Sequence, residues 1–252
     1  MRTKMNEDQI KMLKYLRLGG LLDNWDRYLE LAGKGNYSHG RLLEYIILQE
    51  YQIKKENARK MRIRRARIPE NFVLETFPFN RQPKLNKKRI ESMYDAFDYM
   101  TKCRSIIFIG PTGTGKTGLA TAFLTHAINQ DYNGLFITFP ELVERLYQSV
   151  ADHSEAKTIK KLFSYDCLLI DELGYIEVEP VQVGLFFNLM QKRHKHKTTL
   201  ITSNLGFGQW SSFLKNDHLT SALIDRLTES SYVINMKDCI SLRSRLDEAP
   251  GT

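Results

Sequence analysis

Gly110-Pro111-Thr112-Gly113-Thr114-Gly115-Lys116-Thr117 carries the spacing G-x-x-x-x-G-K-[ST], which suits phosphate chemistry. In such a loop the backbone N–H groups and a helix N-terminus surround a β-phosphate, and glycine lets the main chain come close enough. Lys116 adds a point charge to the β- and γ-phosphates, and Thr117 holds Mg²⁺ through its hydroxyl. With Gly118 opening the next helix, residues 110–118 are the expected nucleotide-binding set.

Farther on, Cys167-Leu168-Leu169-Ile170-Asp171-Glu172 is an apolar run ending in two acids. Downstream of a phosphate loop, Asp171 is placed to hold Mg²⁺, through water or through Thr117. Glu172 can face the γ-phosphate and take a proton from an attacking water. Thr199-Leu200-Ile201-Thr202-Ser203-Asn204 is a second apolar run, ending in an amide that can orient that water. Arg226, in Ala222-Leu223-Ile224-Asp225-Arg226-Leu227, suits no acid–base role. It is either an arginine finger for a neighbouring subunit's nucleotide or the partner of Asp225 or Glu229 in an ion pair. Arg243 is a further candidate for the γ-phosphate, from the C-terminal end.

Elements must bring these residues together. Ile106–Ile109 reads as a buried strand and 118–128 as a helix. Strands are expected at 135–139, 167–172, 199–204 and 232–236, with helices at 89–100, 139–150 and 181–193, the second opened by the capping-box spacing of Thr138 and Glu141. Alternation of this kind predicts a parallel sheet covered on both faces, with ligands at the strands' carboxyl ends. Before it, apolar residues at three- and four-residue steps predict two short helices bending at Gly19-Gly20, then a longer helix capped by Ser38 and stopped by Pro69. The expected organisation is a helical basic domain over 1–67, a packed linker over 68–88 with Phe72, Phe77 and Phe79 docking on the next domain, and an ATPase domain over 89–252.

Charge is unevenly placed. Residues 1–104 hold 23 Lys and Arg against 13 Asp and Glu, whereas residues 105–252 hold 14 against 16. The basic excess therefore precedes the phosphate loop, and the expected partner is a polyanion, most simply nucleic acid such as duplex DNA, the alternative being a solvated basic face without a partner. Lys54, Lys55, Arg59, Lys60, Arg62, Arg64, Arg65 and Arg67 concentrate it on the long helix, the arginines on more than one face, which suits contact with phosphates better than base-specific readout. Cys103, Cys167 and Cys239 form no C-x-x-C pair, which predicts structural thiols. Neither a signal peptide nor a membrane-length apolar run is present in this sequence, so a cytoplasmic protein without membrane contact is expected.

The motifs in their order also resemble a family. Gly-Pro-Thr-Gly-Thr-Gly-Lys-Thr, then Leu168-Leu169-Ile170-Asp171-Glu172-Leu173-Gly174-Tyr175, Thr202-Ser203-Asn204 with Trp210, and Ala222 to Leu227 are similar to the IstB transposition helpers. Those stand with the DnaC-type helicase loaders among the AAA+ ATPases. Leu16-Arg17-Leu18, the Ile63–Pro69 stretch and Leu74-Glu75-Thr76-Phe77-Pro78-Phe79 extend the likeness over most of the chain.

The resemblance implies an α/β fold: an AAA+ P-loop NTPase with a central parallel sheet flanked by helices, preceded by a small all-helical domain. It implies that Lys116 and Thr117 bind nucleotide and Mg²⁺, that Asp171 and Glu172 are the Walker B pair, that Asn204 is sensor 1 and that Arg226 is the finger acting across subunits. Arg243 corresponds to the family's arginine in a Ser-Tyr-Arg element, although Leu242 stands where the tyrosine would be and Lys237-Asp238-Cys239 lacks the expected glycine. Membership further implies a homo-oligomer with ATP at subunit interfaces, assembled on DNA and cooperating with a cognate transposase. The alternative is a DnaC-like replicative helicase loader. A nucleotide-switched scaffold that does not turn over is a third reading, which Glu172 argues against.

Overall fold

The computed structural model describes residues 5–35, 37–70 and 72–243. The chain divides into two compact units, Met1–Met61 and Arg62–Thr252, the boundary falling inside one helix.

In the first unit, α1 (Glu7–Tyr15), α2 (Gly19–Asp23) and α3 (Trp25–Gly33) precede α4 (His39–Ala66). The bend expected at Gly19-Gly20 lies earlier, at Arg17, whose φ is 56°. Gly20 is instead helical and buried, because a Cβ there would stand 2.6 Å from both Glu50 Oε2 and Ile53 Cδ1. Glu50 also accepts the Leu21 N–H at 2.8 Å, satisfying a donor at the start of α2. Close packing, not turn propensity, is what Gly20 serves, whereas a Cβ on Gly19 would meet nothing within 4 Å. Ser38 receives the Arg41 N–H at the head of α4, which at about 1.5 Å per residue runs roughly 42 Å.

The second unit is built on a sheet in the order β2-β3-β4-β1-β5: β1 (Ser105–Ile109), β2 (Gly134–Thr138), β3 (Cys167–Leu173), β4 (Thr198–Ser203) and β5 (Ser231–Asn235). All its pairings are parallel. Such strands are apolar on both faces because both are covered. Ile107, Ile109, Leu168 and Ile170 enter one core with α8 (Phe139–Ala151), α9 (Glu155–Phe163), α10 (Pro180–Arg193), α11 (Trp210–Leu214) and α12 (Asp217–Glu229). Ile106, Phe108, Cys167 and Leu169 enter the other, with α5 (Lys87–Ala96), α6 (Asp98–Thr101) and α7 (Lys116–Asn129). The single helix expected over 89–100 breaks at Phe97, whose φ is 54°. α9 has no counterpart among the expected elements.

One topological fact governs the site. β4 lies between β1 and β3, with Thr202 opposite Phe108 on one side and Ile201 opposite Ile170 on the other. The carboxyl end of β4 is therefore wedged between the phosphate loop and the acids that end β3.

Candidate nucleotide and catalytic site

β1 delivers the chain into the phosphate loop, and the loop's glycines answer to geometry. Gly113 and Gly115 have φ of 84° and 95°, a region other residues enter at a cost of order 1 kcal/mol. A Cβ on Gly115 would lie 2.6 Å from Phe77 Cε2, and one on Gly110 would lie 2.7 Å from the Met236 backbone. The loop is thus packed from behind, and its other face adjoins the N-terminus of α7, which Gly115 caps. That face borders a cleft of about 480 Å³ lined by Thr112, Gly113 and Gly115 to Gly118, by Asp171, Glu172 and Asn204, and by Arg243.

Inside the cleft the Lys116 ammonium donates to the carbonyls of Gly110 at 2.7 Å and Pro111 at 2.8 Å. Burial pushes its pKa below the usual lysine value; Asp171 opposes this and Arg243 adds to it. Thr117 Oγ1 donates to Asp171, 3.0 Å from Oδ1 and 3.2 Å from Oδ2. Asp171 is buried, which raises its pKa, while hydrogen bonds from Thr202 and Thr117 and the Lys116 charge pull it back. A carboxylate this far from water is retained by donors aimed at it.

Glu172 occupies an irregularity. The β3–β4 register shifts between Ile170 and Leu173, and Glu172 has φ of 62°. This left-handed residue turns the exposed Glu172 side chain to the cleft instead of continuing the strand's alternation. Its backbone N–H donates to Thr202 Oγ1 at 3.0 Å, and the same hydroxyl donates to Asp171 Oδ1. Asn204, just past β4, has a buried Oδ1 with no partner among the described residues. The turn that carries it is pinned by Trp210, fully buried against Phe207 and Phe213, whose indole donates to Leu205 O.

These features fit a magnesium nucleotide. The backed, open-faced loop accommodates phosphates, the Thr117–Asp171 pair supplies the hard oxygens Mg²⁺ prefers, and the unpartnered Asn204 oxygen awaits a donor such as water.

Arg226 lies elsewhere, on α12. It donates to Ala222 O at 3.1 Å and its guanidinium stands 5.0 Å from the Phe187 ring centre. The ion pair weighed as its alternative is not formed among the described residues: Glu229 is engaged by Lys195 and His194. The eight basic residues of α4 and its end are likewise not equivalent. Arg59 and Lys60 pair with Glu56, Arg62 with Asp131 and Arg67 with Glu141. Lys54, Arg64 and Arg65 are exposed, without an acidic partner among the described residues, and Lys55 is exposed as well.

Sequence reasoning missed Thr202 as the clip between the acids. It also missed Tyr175, whose hydroxyl lies 3.3 Å from Thr112 Oγ1. Phe72, expected to dock on this domain, lines the cleft and touches the Gly118 position at 3.4 Å. Apart from their places in the motifs that carry the family resemblance, the polar end of an apolar strand was the one available signal for Thr202, and Tyr175 had none.

Residues 11–248 match the family described as IstB-like ATP binding protein. The chain is 28% identical over 222 residues to an insertion-sequence IS5376 protein of Geobacillus stearothermophilus named for ATP binding, 88% of each chain being covered. It is 27% identical over 226 residues to an IS21 protein of Pseudomonas aeruginosa named likewise, covering 90% of this chain and 85% of that one. In fold it is similar to the DnaC helicase loader, with a TM-score of 0.52 and 22% identity over 60% of this chain and 88% of that one. The parallel sheet and its flanking helices share the fold of that loader, and over nearly its whole length the chain belongs to the IstB-like ATP-binding family.

Proposed function

We propose that this chain is a Mg²⁺-dependent ATPase that assembles on duplex DNA, shares nucleotide between subunits and assists a transposase. The observation that carries the reading is the convergence of Lys116, Thr117, Asp171, Glu172 and Asn204 on one cleft at the carboxyl edge of the sheet. Relatives named for insertion sequences support the transposition role, and the exposed cations of α4 support the DNA. Residues 1–67 serve DNA binding and assembly, 68–88 link, and 89–252 hold the ATPase.

The loop amides and Lys116 hold the β- and γ-phosphates. Thr117 and Asp171 hold Mg²⁺, which when bound neutralises charge on the phosphate oxygens. Asn204 orients a water, and Glu172 removes its proton as the water oxygen bonds to the γ-phosphorus and the bond to the ADP oxygen breaks. Arg226 of an adjacent subunit meets the charge developing on the γ-phosphoryl, and Arg243 contacts the nucleotide of its own chain.

Lys116→Ala and Glu172→Gln test this together with wild type, by nucleotide binding, turnover and particle size with duplex DNA. The first variant is expected to lose ATP binding and assembly. The second keeps both and loses turnover by at least about 10²-fold. Assembly of Lys116→Ala on DNA with ATP, equal to wild type, contradicts the proposal. Association of the full chain with a ring helicase instead of a transposase moves it to the loader reading.

A further inference from the structure

Gln82 is wholly buried in a stretch that otherwise reads as connection. Its carboxamide behaves like a peptide unit. Oε1 accepts the Ile240 N–H at 3.0 Å and Nε2 donates to Ile240 O at 2.7 Å, the paired pattern of one strand residue with another. Nε2 also donates to Thr114 O at 3.1 Å, inside the phosphate loop. One side chain thus joins the linker, the loop and the C-terminal segment.

The neighbouring contacts converge on the same joint. Leu242 N donates to Gly113 O at 2.8 Å, and Leu242 Cδ1 stands 3.0 Å from where a Gly115 Cβ would be, beside Phe77. Arg243 follows at once, lining the nucleotide cleft with its Cγ 3.6 Å from the Gly113 Cβ position. Residues 240–243 have no helix or strand ladder to hold them. Gln82 and the Leu242–Gly113 bond are what register this segment against the loop.

We propose that Gln82 is a positioning residue for nucleotide binding: it locks the 240–243 segment to the phosphate loop and so places Arg243 at the phosphates. This rests on reading the cleft as an ATP site. A buried amide with three bonds is not needed for packing alone, since a methionine of similar volume would fill the space without burying donors.

The experiment uses the full chain, with a fluorescent ATP analogue and Mg²⁺ as probe. Gln82→Met, Arg243→Ala and the double variant are compared for dissociation constant and melting temperature, with Lys116→Ala as the reference for loss of the site. Each single variant is expected to weaken binding about tenfold, a change of about 1.4 kcal/mol. The double variant is expected to bind no worse than Arg243→Ala, because Gln82 acts through that arginine. Multiplied effects in the double variant, or wild-type affinity in Gln82→Met, overturn the proposal. Normal binding by Lys116→Ala is a separate outcome, in which the ATP site itself has been misassigned.

Hydrogen exchange on wild type gives an answer even if Gln82→Met fails to fold. The amides of Ile240 and Leu242 are expected to gain protection together when the analogue binds. Unchanged exchange at both overturns the proposal.

Discussion

The hydroxyl of Thr202 donates to Oδ1 of Asp171 at 2.5 Å, and on its other side it receives the Glu172 N–H. A single buried hydroxyl therefore orients the carboxylate proposed for Mg²⁺ and stabilises the left-handed backbone that aims the proposed base. Thr202→Val removes both bonds while keeping shape, and turnover is expected to fall about 10- to 100-fold with ATP binding nearly intact. Thr202→Ser, which retains the hydroxyl, is expected to recover most of the rate. Steady-state kinetics of both variants check this; equal loss in the two would show that the methyl group's packing, not the hydroxyl, matters.

The cations of α4 predict a division of labour on DNA. Arg64→Ala and Arg65→Ala are each expected to lower the slope of log affinity against log salt by about 0.9, one phosphate contact apiece. Arg62→Ala is expected to leave the slope nearly unchanged and to lower the melting temperature, since Arg62 faces Asp131 within its own unit. Binding titrations on one duplex at several salt concentrations separate the cases.

Asp98 predicts a pH dependence of stability. Burial pushes its pKa up, but hydrogen bonds from Tyr232 and Lys102 and the charges of Lys102 and Arg104 outweigh that and leave it below the ordinary value. The folded chain therefore binds this proton less readily than the unfolded chain. The stabilisation is complete above the unfolded value of about 3.9 and is lost as pH falls through the lower folded value. Asp98→Asn is expected to cost about 1–2 kcal/mol at neutral pH and progressively less in acid. Urea unfolding of both proteins at matched pH values reads the difference.

Much of this was legible in the chain. The strands stood out because a sheet covered on both faces needs unbroken apolar runs, and the loop, Asp171, Glu172 and Asn204 all lie where such runs end. What was not legible depends on neighbours distant in sequence. Thr202 becomes a clip only because β4 inserts between β1 and β3, an order that periodicity does not encode. Gln82 matters through Ile240, 158 positions away. Gly20 looked like a bend and is a packing site against Glu50 and Ile53, where local propensity yields to tertiary contact.

ATP hydrolysis at a site completed by a second subunit is tested most directly by mixing two inactive variants. Glu172→Gln lacks the proposed base but retains Arg226; Arg226→Ala retains the base but lacks the finger. With duplex DNA present, each alone is expected to turn over poorly. An equal mixture is expected to recover about a quarter of the wild-type rate, the share of interfaces that pair an intact Glu172 with a neighbour's intact Arg226. A mixture no more active than its two components would contradict the claim and confine the chemistry to a single chain.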